Sequence, residues 1–517
     1  MTLTDRGAMV VDLHGKSDFR SMGLIVVPPP SPSDTNPPLG PAILARAAAH
    51  RGIDLGVADL NIAHINRFRC TALRRPTAAL GDHGKDRSLV AAAAQNLFAQ
   101  FGLAAEQPAF LPPGDEPTQG MHYSFEALDR QLSLSAKGGD LAQWLQDCLF
   151  NRPDWPPRVL GVSLMGPSQV FAGLLLLELV KRRHPRVTTV LGGSHVTLLM
   201  DQIRADARYQ RYVDIVMPGH CEEAFARLLA GSDSQSTGAS GAHSLPGPGE
   251  PSFEYLPLFD GAHLAMYPLE QLTLPVQFTR GCVYGRCTFC TYPRVEPVTT
   301  DLFAEQAVDA MTTLTDMHGV KKFSLKDSLV TAPMMERLAA ALLARRYSVE
   351  WSATTKVNRR LTRIAPLLAR SGLRTVELGV ETISPRGQIV IDKRARLMDI
   401  EDVILALAAE GITVIVNLVF GLPGESLAEA EHQLAWLRNV CEAANGHVDY
   451  SLNALQVVRG SPMAEPSSGI ELKGIAPWAY SYVWERPSWV IEFAGQLTTL
   501  ELADPFAEDA PGARMPS

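Results

Sequence analysis

Between Thr279 and Cys290 the chain reads Thr-Arg-Gly-Cys-Val-Tyr-Gly-Arg-Cys-Thr-Phe-Cys, which crowds the thiols of Cys282, Cys287 and Cys290 onto one short stretch. Three thiolates on one loop can hold three irons of a cubane [4Fe–4S] cluster and leave the fourth iron open to another ligand. A closed electron-transfer cluster or a structural zinc site needs a fourth donor, and the next cysteine along the chain is Cys441. Two plainer arrangements use the same residues: a zinc knuckle completed by a distant histidine, or three cysteines that merely pack. A glycine-bearing loop directly after an apolar strand favours the cluster.

The elements that must position this loop form a βα series. Apolar runs predict strands at 274–278, 322–325, 349–353, 375–380, 413–420 and 449–455, separated by helical stretches such as 303–317 and 335–344. The spacing is close to the ~30 residues per unit of a (β/α) barrel, but six units fit rather than eight, so a partial (β/α)6 barrel is expected. In such barrels functional residues gather where strands end. The first predicted strand leads into the cysteines, the second into Lys326-Asp327-Ser328 and the third into Thr354-Thr355-Lys356. The fourth leads into Glu381-Thr382, the fifth into Gly421-Leu422-Pro423-Gly424-Glu425 and the sixth into Gln456-Val457-Val458-Arg459-Gly460. All six would converge on one rim.

This constellation resembles the radical S-adenosylmethionine (SAM) superfamily, in which the open iron chelates the amino and carboxylate groups of SAM. The usual spacing there is three residues, then two. Here it is four, then two, as in variants that extend the first interval with an aromatic-Gly pair like Tyr284-Gly285. The resemblance implies that Cys282, Cys287 and Cys290 are the metal ligands. It implies that Glu381 contacts the SAM ribose or amino group and that Phe289 lies beside the adenine. Asn417 and the turn from Gly421 to Glu425 match the region flanking the adenine. Asp327 and Ser328 sit where relatives place polar SAM or substrate contacts, and Lys356 where they often carry Arg.

The first 230 residues carry their own alternation of strands (24–27, 54–60, 159–165, 188–191 and 213–217) and helices (41–50 and 169–181). That pattern implies a parallel sheet covered on both faces, a doubly wound Rossmann-like domain. Residues 61–157, with predicted helices at 88–101 and 141–149, read as an insertion. This domain resembles the cobalamin-binding domain that often precedes a radical SAM barrel. Pro38-Leu39-Gly40, Ser163-Leu164-Met165 and Gly192-Gly193 match its signatures, and the likeness runs on through Pro218-Gly219-His220-Cys221-Glu222-Glu223. The resemblance places Ser163, Gly192 and Gly193 along the nucleotide tail of the cofactor. Where such domains supply a lower-ligand histidine this chain has Pro37, which cannot coordinate cobalt. His195, just past the glycine pair, could face the corrin or be an ordinary capped surface residue.

At 517 residues the chain exceeds one core and needs two or three domains. Residues 1–230 are expected as the first, 231–250 as a Ser/Gly/Pro-rich linker, 251–470 as the barrel and 471–517 as an aromatic-rich extension and tail. Asp plus Glu is 55 against 47 Lys plus Arg, and that acidic excess argues against a nucleic-acid partner. No apolar run reaches the ~18 residues of a membrane span. Asp5, Arg6, Asp12 and Lys16 precede any apolar stretch, unlike a signal peptide, so the cytoplasm is the expected compartment. Tryptophans within 478–489 either cover the open side of the barrel or line an entrance.

By resemblance, the expected activity is reductive cleavage of SAM at a [4Fe–4S] cluster, in a cobalamin-dependent radical methyltransferase of a specialised metabolite or modified peptide. A flavodoxin- or ferredoxin-type protein would supply electrons. The rivals are a radical cyclase, ring-rearrangement or oxidation enzyme, with or without cobalamin, and a non-catalytic iron–sulfur or cobalamin sensor.

Overall fold

The computed structural model describes residues 23–29, 35–72, 129, 132–151, 155–207, 209–231, 256–296, 300–301, 304–475, 479–490 and 493. The first sheet has five parallel strands: β1 (Gly23–Val27), β2 (Leu55–Asp59), β3 (Val159–Ser163), β4 (Thr188–Gly192) and β5 (Ile215–Met217), in the order β2-β1-β3-β4-β5. Every position of β1 is buried, as a strand covered on both faces requires. Strand order reverses between β1 and β3, the switch point beyond which doubly wound sheets place ligands. β3 stops at Ser163, two residues short of its expected end. The backbone N–H of Leu164 still donates to the Gly192 carbonyl, after which the chain leaves the sheet. A helix, Leu60–Ala72, follows β2 at once, so the segment expected as an insertion begins as a helix joined directly to the sheet. The expected helix at 141–149 is present as Asp140–Leu149, whereas 88–101 and 232–250 lie outside the described residues.

The second sheet is built from β6 (Leu274–Val276), β9 (Lys322–Leu325), β10 (Glu350–Lys356), β11 (Leu373–Glu381), β12 (Thr413–Phe420) and β13 (Val448–Ala454). All are parallel, in the order β13-β12-β11-β10-β9-β6. Between β6 and β9 the two-residue strands β7 (Thr279–Arg280) and β8 (Thr300–Asp301) pair antiparallel. Alternation along β12 shows how the sheet divides its faces. Val414, Val416, Leu418 and Phe420 are buried in the core, while Thr413, Ile415, Asn417 and Val419 turn to the more open inner face. β10 runs on to Lys356, in register with Gly379 of β11, so Thr354, Thr355 and Lys356 are the last residues of a strand and not the loop that the sequence suggests. β6 is shorter than expected, because Gln277 and Phe278 already belong to the turn that carries the cysteine loop away.

The two sheets are tied by residues 256–273. Leu258 and Thr273 donate backbone N–H groups to the carbonyls of Ala42 and Thr35. Tyr267 donates its hydroxyl to the buried Asp59 carboxylate, and Asn66 donates to the Met266 carbonyl. Phe259, Leu264 and Tyr267 join the barrel core together with Ala42 and Ile62.

Candidate active site

Cys282, Cys287 and Cys290 are free and half-buried. Burial pushes the Cys287 thiol up to about 11 and raises that of Cys290. The thiols add to this by mutual repulsion, Cys287 with Cys290 and Cys290 with Cys282, while Lys393 opposes it. Bound iron would deprotonate its thiol ligands, as a metal ion does. Among the described residues no three His, Cys, Asp or Glu side chains close on one point as a single metal ion requires. Three thiolates are the donor set of a cubane with one open iron, whereas a zinc site needs a fourth donor. Cys441 is packed against the barrel core, within the helix Leu427–Ala443.

The loop is fixed from several sides. Asp327, immersed at 4% exposure, accepts the N–H groups of Phe278 and Thr279 and the Thr279 hydroxyl. Burial pushes its carboxyl up to about 6 against the pull of those donors. Glu296 accepts the Gly281 N–H at 3.0 Å and the Ser328 hydroxyl at 2.8 Å. Asp327 and Ser328, expected to make polar SAM or substrate contacts, thus also hold the start of the loop. Arg280 turns the other way: its guanidinium meets the Glu222 carboxylate and lies 2.6 Å from His220 Nδ1. Burial, seconded by Arg280, holds His220 below its ordinary range, so the ring is neutral and Nδ1 accepts.

The middle of the loop is pinned to 390–394. Tyr284 donates its hydroxyl to the carbonyls of Asp392 and Lys393. Thr288 donates its hydroxyl to the Val390 carbonyl and its N–H to that of Ile391. Lys356 Nζ sits 3.2 Å from the Tyr284 ring centroid, a cation–π contact, and burial lowers its ammonium to about 8.

At the end of β11 the backbone bulges between Gly379 and Glu381. Glu381 takes φ +65°, a left-handed conformation that a non-glycine residue holds only against strain. Its carboxylate lies 2.6 Å from Lys393 Nζ, which is itself buried. A Cβ at Gly379 would stand 2.4 Å from that Nζ, so glycine there makes room for the pair. Gln388 keeps the arrangement by donating to the Val380 and Thr382 carbonyls and accepting the Ala395 N–H. Asn417 is half-buried on the inner face between Gly379 and Ser451. Phe289 and Val419 pack against a buried cluster that includes Leu422 and Trp484. Glu425 accepts the N–H groups of Gly421 and Leu422, closing that turn. The C-terminal segment covers it: Trp489 donates to the Glu425 carbonyl at 2.6 Å, and Trp484 is buried. Covering, rather than an entrance, is what these two tryptophans do. Trp478 lies outside the described residues.

At the edge of the first sheet Ser163 and Gly192 are partners in register. The glycines answer first to the chain itself. A Cβ on Gly193 would stand 2.2 Å from the Leu164 carbonyl oxygen, at φ +105°, and one on Gly192 would stand 3.1 Å from the Met217 oxygen. His195 is buried, its ring edge-on to Tyr480, and not the surface residue that was one expectation. Pro37 is buried just before the helix Leu39–Ala49. The switch-point edge points to a ligand by its position, not by its glycines, which make room for the chain's own backbone. Among the side chains named for it, Pro37 offers no nitrogen donor.

Sequence reasoning missed Lys393, Glu296, Gln388, Arg280 and Glu222. A faint signal existed for Arg280, a charge wedged between Thr279 and Gly281 in an otherwise apolar approach to the cysteines.

Residues 276–437 match the radical SAM superfamily. The chain is 23% identical over 306 residues to an anaerobic magnesium-protoporphyrin IX monomethyl ester cyclase of Rubrivivax gelatinosus, covering 55% of this chain and 54% of that protein. It is 21% identical over 304 residues to an uncharacterised methyltransferase of Pyrococcus horikoshii, covering 55% of this chain and 64% of that one. The match thus spans a little over half the length of these relatives. Among solved structures, the radical SAM methyltransferase TsrM of Kitasatospora setae, with cobalamin and a [4Fe–4S] cluster bound, aligns at TM-score 0.57 and 15% identity. That alignment covers 92% of this chain and 91% of TsrM. The cobalamin-dependent SAM radical enzyme OxsB aligns at 0.56 and 12%, covering 90% of this chain and 65% of OxsB. At such identities these two likenesses speak for the fold, which agrees with the doubly wound domain and partial barrel described above. No helix among the described residues is long and apolar enough to cross a membrane. The cysteine loop, the six-stranded barrel and the matched span together place this chain's second domain in the radical SAM superfamily, whose enzymes use a [4Fe–4S] cluster and SAM.

Proposed function

We propose that the chain is a cobalamin-dependent radical SAM methyltransferase acting on a specialised metabolite or modified peptide. The observation that carries this reading is the pairing of folds: a switch-point sheet edge joined to the barrel that bears the cysteine loop, an arrangement shared with TsrM over nearly the whole of both chains. When loaded, the cluster, SAM and cobalamin supply one-electron cleavage of SAM and a methyl group for an unactivated carbon of the substrate.

The chain's own residues bind and orient. Cys282, Cys287 and Cys290 hold the cluster, and Glu381, kept in a strained turn beside Lys393, receives the polar end of SAM. Phe289, Asn417 and the turn closed by Glu425 would flank the adenine. Asp327, Glu296 and Tyr284 keep the loop in place, and Ser163 with Gly192 and Gly193 borders the cobalamin tail. A flavodoxin- or ferredoxin-type protein delivers the electrons.

The deciding experiment is anaerobic reconstitution with SAM and a low-potential electron donor, with and without hydroxocobalamin, followed by mass spectrometry of the SAM products. Methionine with 5′-deoxyadenosine marks reductive cleavage, and cobalamin-dependent S-adenosylhomocysteine marks methyl transfer. Cleavage without any cobalamin-dependent demethylation would favour a radical cyclase, the second reading, which the name of the Rubrivivax relative supports.

A further inference from the structure

The residue immediately before the cluster loop is held by the other domain. Arg280 is 2% exposed and Glu222 is 7% exposed. They form an ion pair between β7 and the first residue of the helix Glu222–Ala230, which follows β5 of the first sheet. Burying both charges costs solvation that their close mutual contact offsets, and removing either takes from the other the opposite charge it is paired with. Such a pair is a poor source of stability, but it is a strict fixer of geometry, since a guanidinium and a carboxylate satisfy one another only in a narrow range of positions.

The contacts continue inward from Glu222. His220 lies against the same guanidinium. One residue earlier, Gly219 donates its N–H to the Thr197 hydroxyl at 2.8 Å, and that hydroxyl donates to the Gly193 carbonyl at 3.1 Å. A continuous run of hydrogen bonds and chain thus joins the glycine turn of β4 to the backbone that carries Cys282. On the barrel side the same backbone is fixed on both flanks of Arg280, by Asp327 at Phe278 and Thr279 and by Glu296 at Gly281. The loop start therefore has two barrel anchors and one anchor from the first domain, and the last alone is charged at both ends.

We infer that Arg280 is a positioning residue through which the N-terminal domain sets the placement of the cluster loop. The ion pair keeps the edge holding Ser163, Gly192 and Gly193 and the loop holding the three cysteines in one fixed register. The consequence for a cofactor on that edge rests on the cobalamin reading above, whereas the placement of the loop does not.

The test uses the full chain, reconstituted anaerobically, as Arg280→Gln, Arg280→Lys and Glu222→Gln. Iron content, the electron paramagnetic resonance spectrum of the reduced cluster with and without SAM, and thermal unfolding are measured on each. Arg280→Gln and Glu222→Gln should keep their iron, because the cysteines are intact. They should lose the single sharp shift that SAM induces in the spectrum and show a mixture of loop placements instead. Arg280→Lys keeps the charge but not the fork that reaches Glu222 and His220 together, and should recover only part of the wild-type shift. A lowered melting temperature with a wild-type spectrum in both Gln variants would mark the pair as structural only and overturn the inference. So would a normal spectrum in Glu222→Gln beside an altered one in Arg280→Gln. Should Arg280→Gln not fold, the near-isosteric Glu222→Gln decides alone by the same spectrum. Failure of the wild-type chain to retain hydroxocobalamin would refute the cobalamin reading and leave this result readable, since the spectrum needs neither cobalamin nor substrate.

Discussion

Two turns leave the carboxyl edges of the two sheets, and they are built on opposite principles. The cysteine loop after β6 is shaped by side chains: Asp327 and Glu296 reach its backbone from outside, and its own Arg280, Tyr284 and Thr288 reach out to Glu222, Asp392 and Val390. The turn after β4 is shaped by missing side chains, because Gly193 lies against the Leu164 backbone where any Cβ would collide. The first ends in three half-buried thiols that no disulfide uses. The second is complete without any ligand. A turn that is finished only when something binds says what it binds, whereas a turn satisfied by its own backbone says only what shape it keeps.

The largest effect that could break this contrast is at the cysteines. Replacing Cys282, Cys287 or Cys290 with Ala should abolish the roughly four irons of a single cubane in the reconstituted protein, measured by iron assay, while Cys441→Ala should leave them untouched. A full cluster in Cys287→Ala would remove the basis of the comparison. At the other turn, Gly193→Ala should destabilise the first domain. The backbone region it occupies, at φ +105° and ψ 168°, is essentially glycine's own and costs other residues about 1–3 kcal/mol, before counting the clash. A wild-type melting curve for Gly193→Ala would show that the turn is not self-sufficient. Gly192→Phe tests the ligand side, and should keep the iron while losing bound cobalamin in the visible spectrum.

Strands were legible because each is an apolar run of the right length, and the six-stranded barrel follows from their spacing. The crowding of the thiols and the place of Glu381 at a strand end were legible from spacing alone. Lys393 was not. Within Ile391-Asp392-Lys393-Arg394 it looks like part of a solvated basic stretch. It turns inward only because Asp392 and Arg394 adopt left-handed backbone, at φ +47° and +58°, a choice that no residue type there announces. Asp327 shows a second limit. A carboxylate at a strand end reads as a ligand contact, yet the sequence does not tell that one of its oxygens accepts two backbone N–H groups of the neighbouring strand's exit. Reach across the fold decides such cases, and one-dimensional spacing does not contain it.

Glu381 lies between the two kinds of turn, with a strained backbone and a charged side chain. Glu381→Gln should leave the cluster intact and weaken SAM binding by about 1.5–3 kcal/mol, the worth of a hydrogen bond to a charged group. Titration of the SAM-induced change in the cluster's paramagnetic spectrum measures it. Lys393→Met should act in the same direction if the pair works as a unit. Unchanged SAM affinity in Glu381→Gln would reduce the pair to a device for holding the bulge in β11.

The smallest effect sharpens the comparison, because Glu425 is a side chain used as the first turn uses its own, to serve backbone. It accepts the N–H groups of Gly421 and Leu422, yet burial outweighs those donors and lifts its carboxyl from 4.5 to about 7. A raised folded value means that the native state holds the proton more tightly than the unfolded chain does. The stabilisation linked to that proton is therefore complete below the ordinary value of 4.5 and fades as pH climbs through about 7. Thermal unfolding of the wild-type chain should show a decline in melting temperature across that window. Glu425→Gln cannot ionise and can still accept both N–H groups through its amide oxygen, so it should flatten the decline without opening the turn. A decline that persists undiminished in Glu425→Gln would assign the titration elsewhere, with Asp327, raised to about 6 by its own burial, the next group to replace. The turn beside Phe289 would then be, like the one after β4, a matter of backbone shape and not of charge.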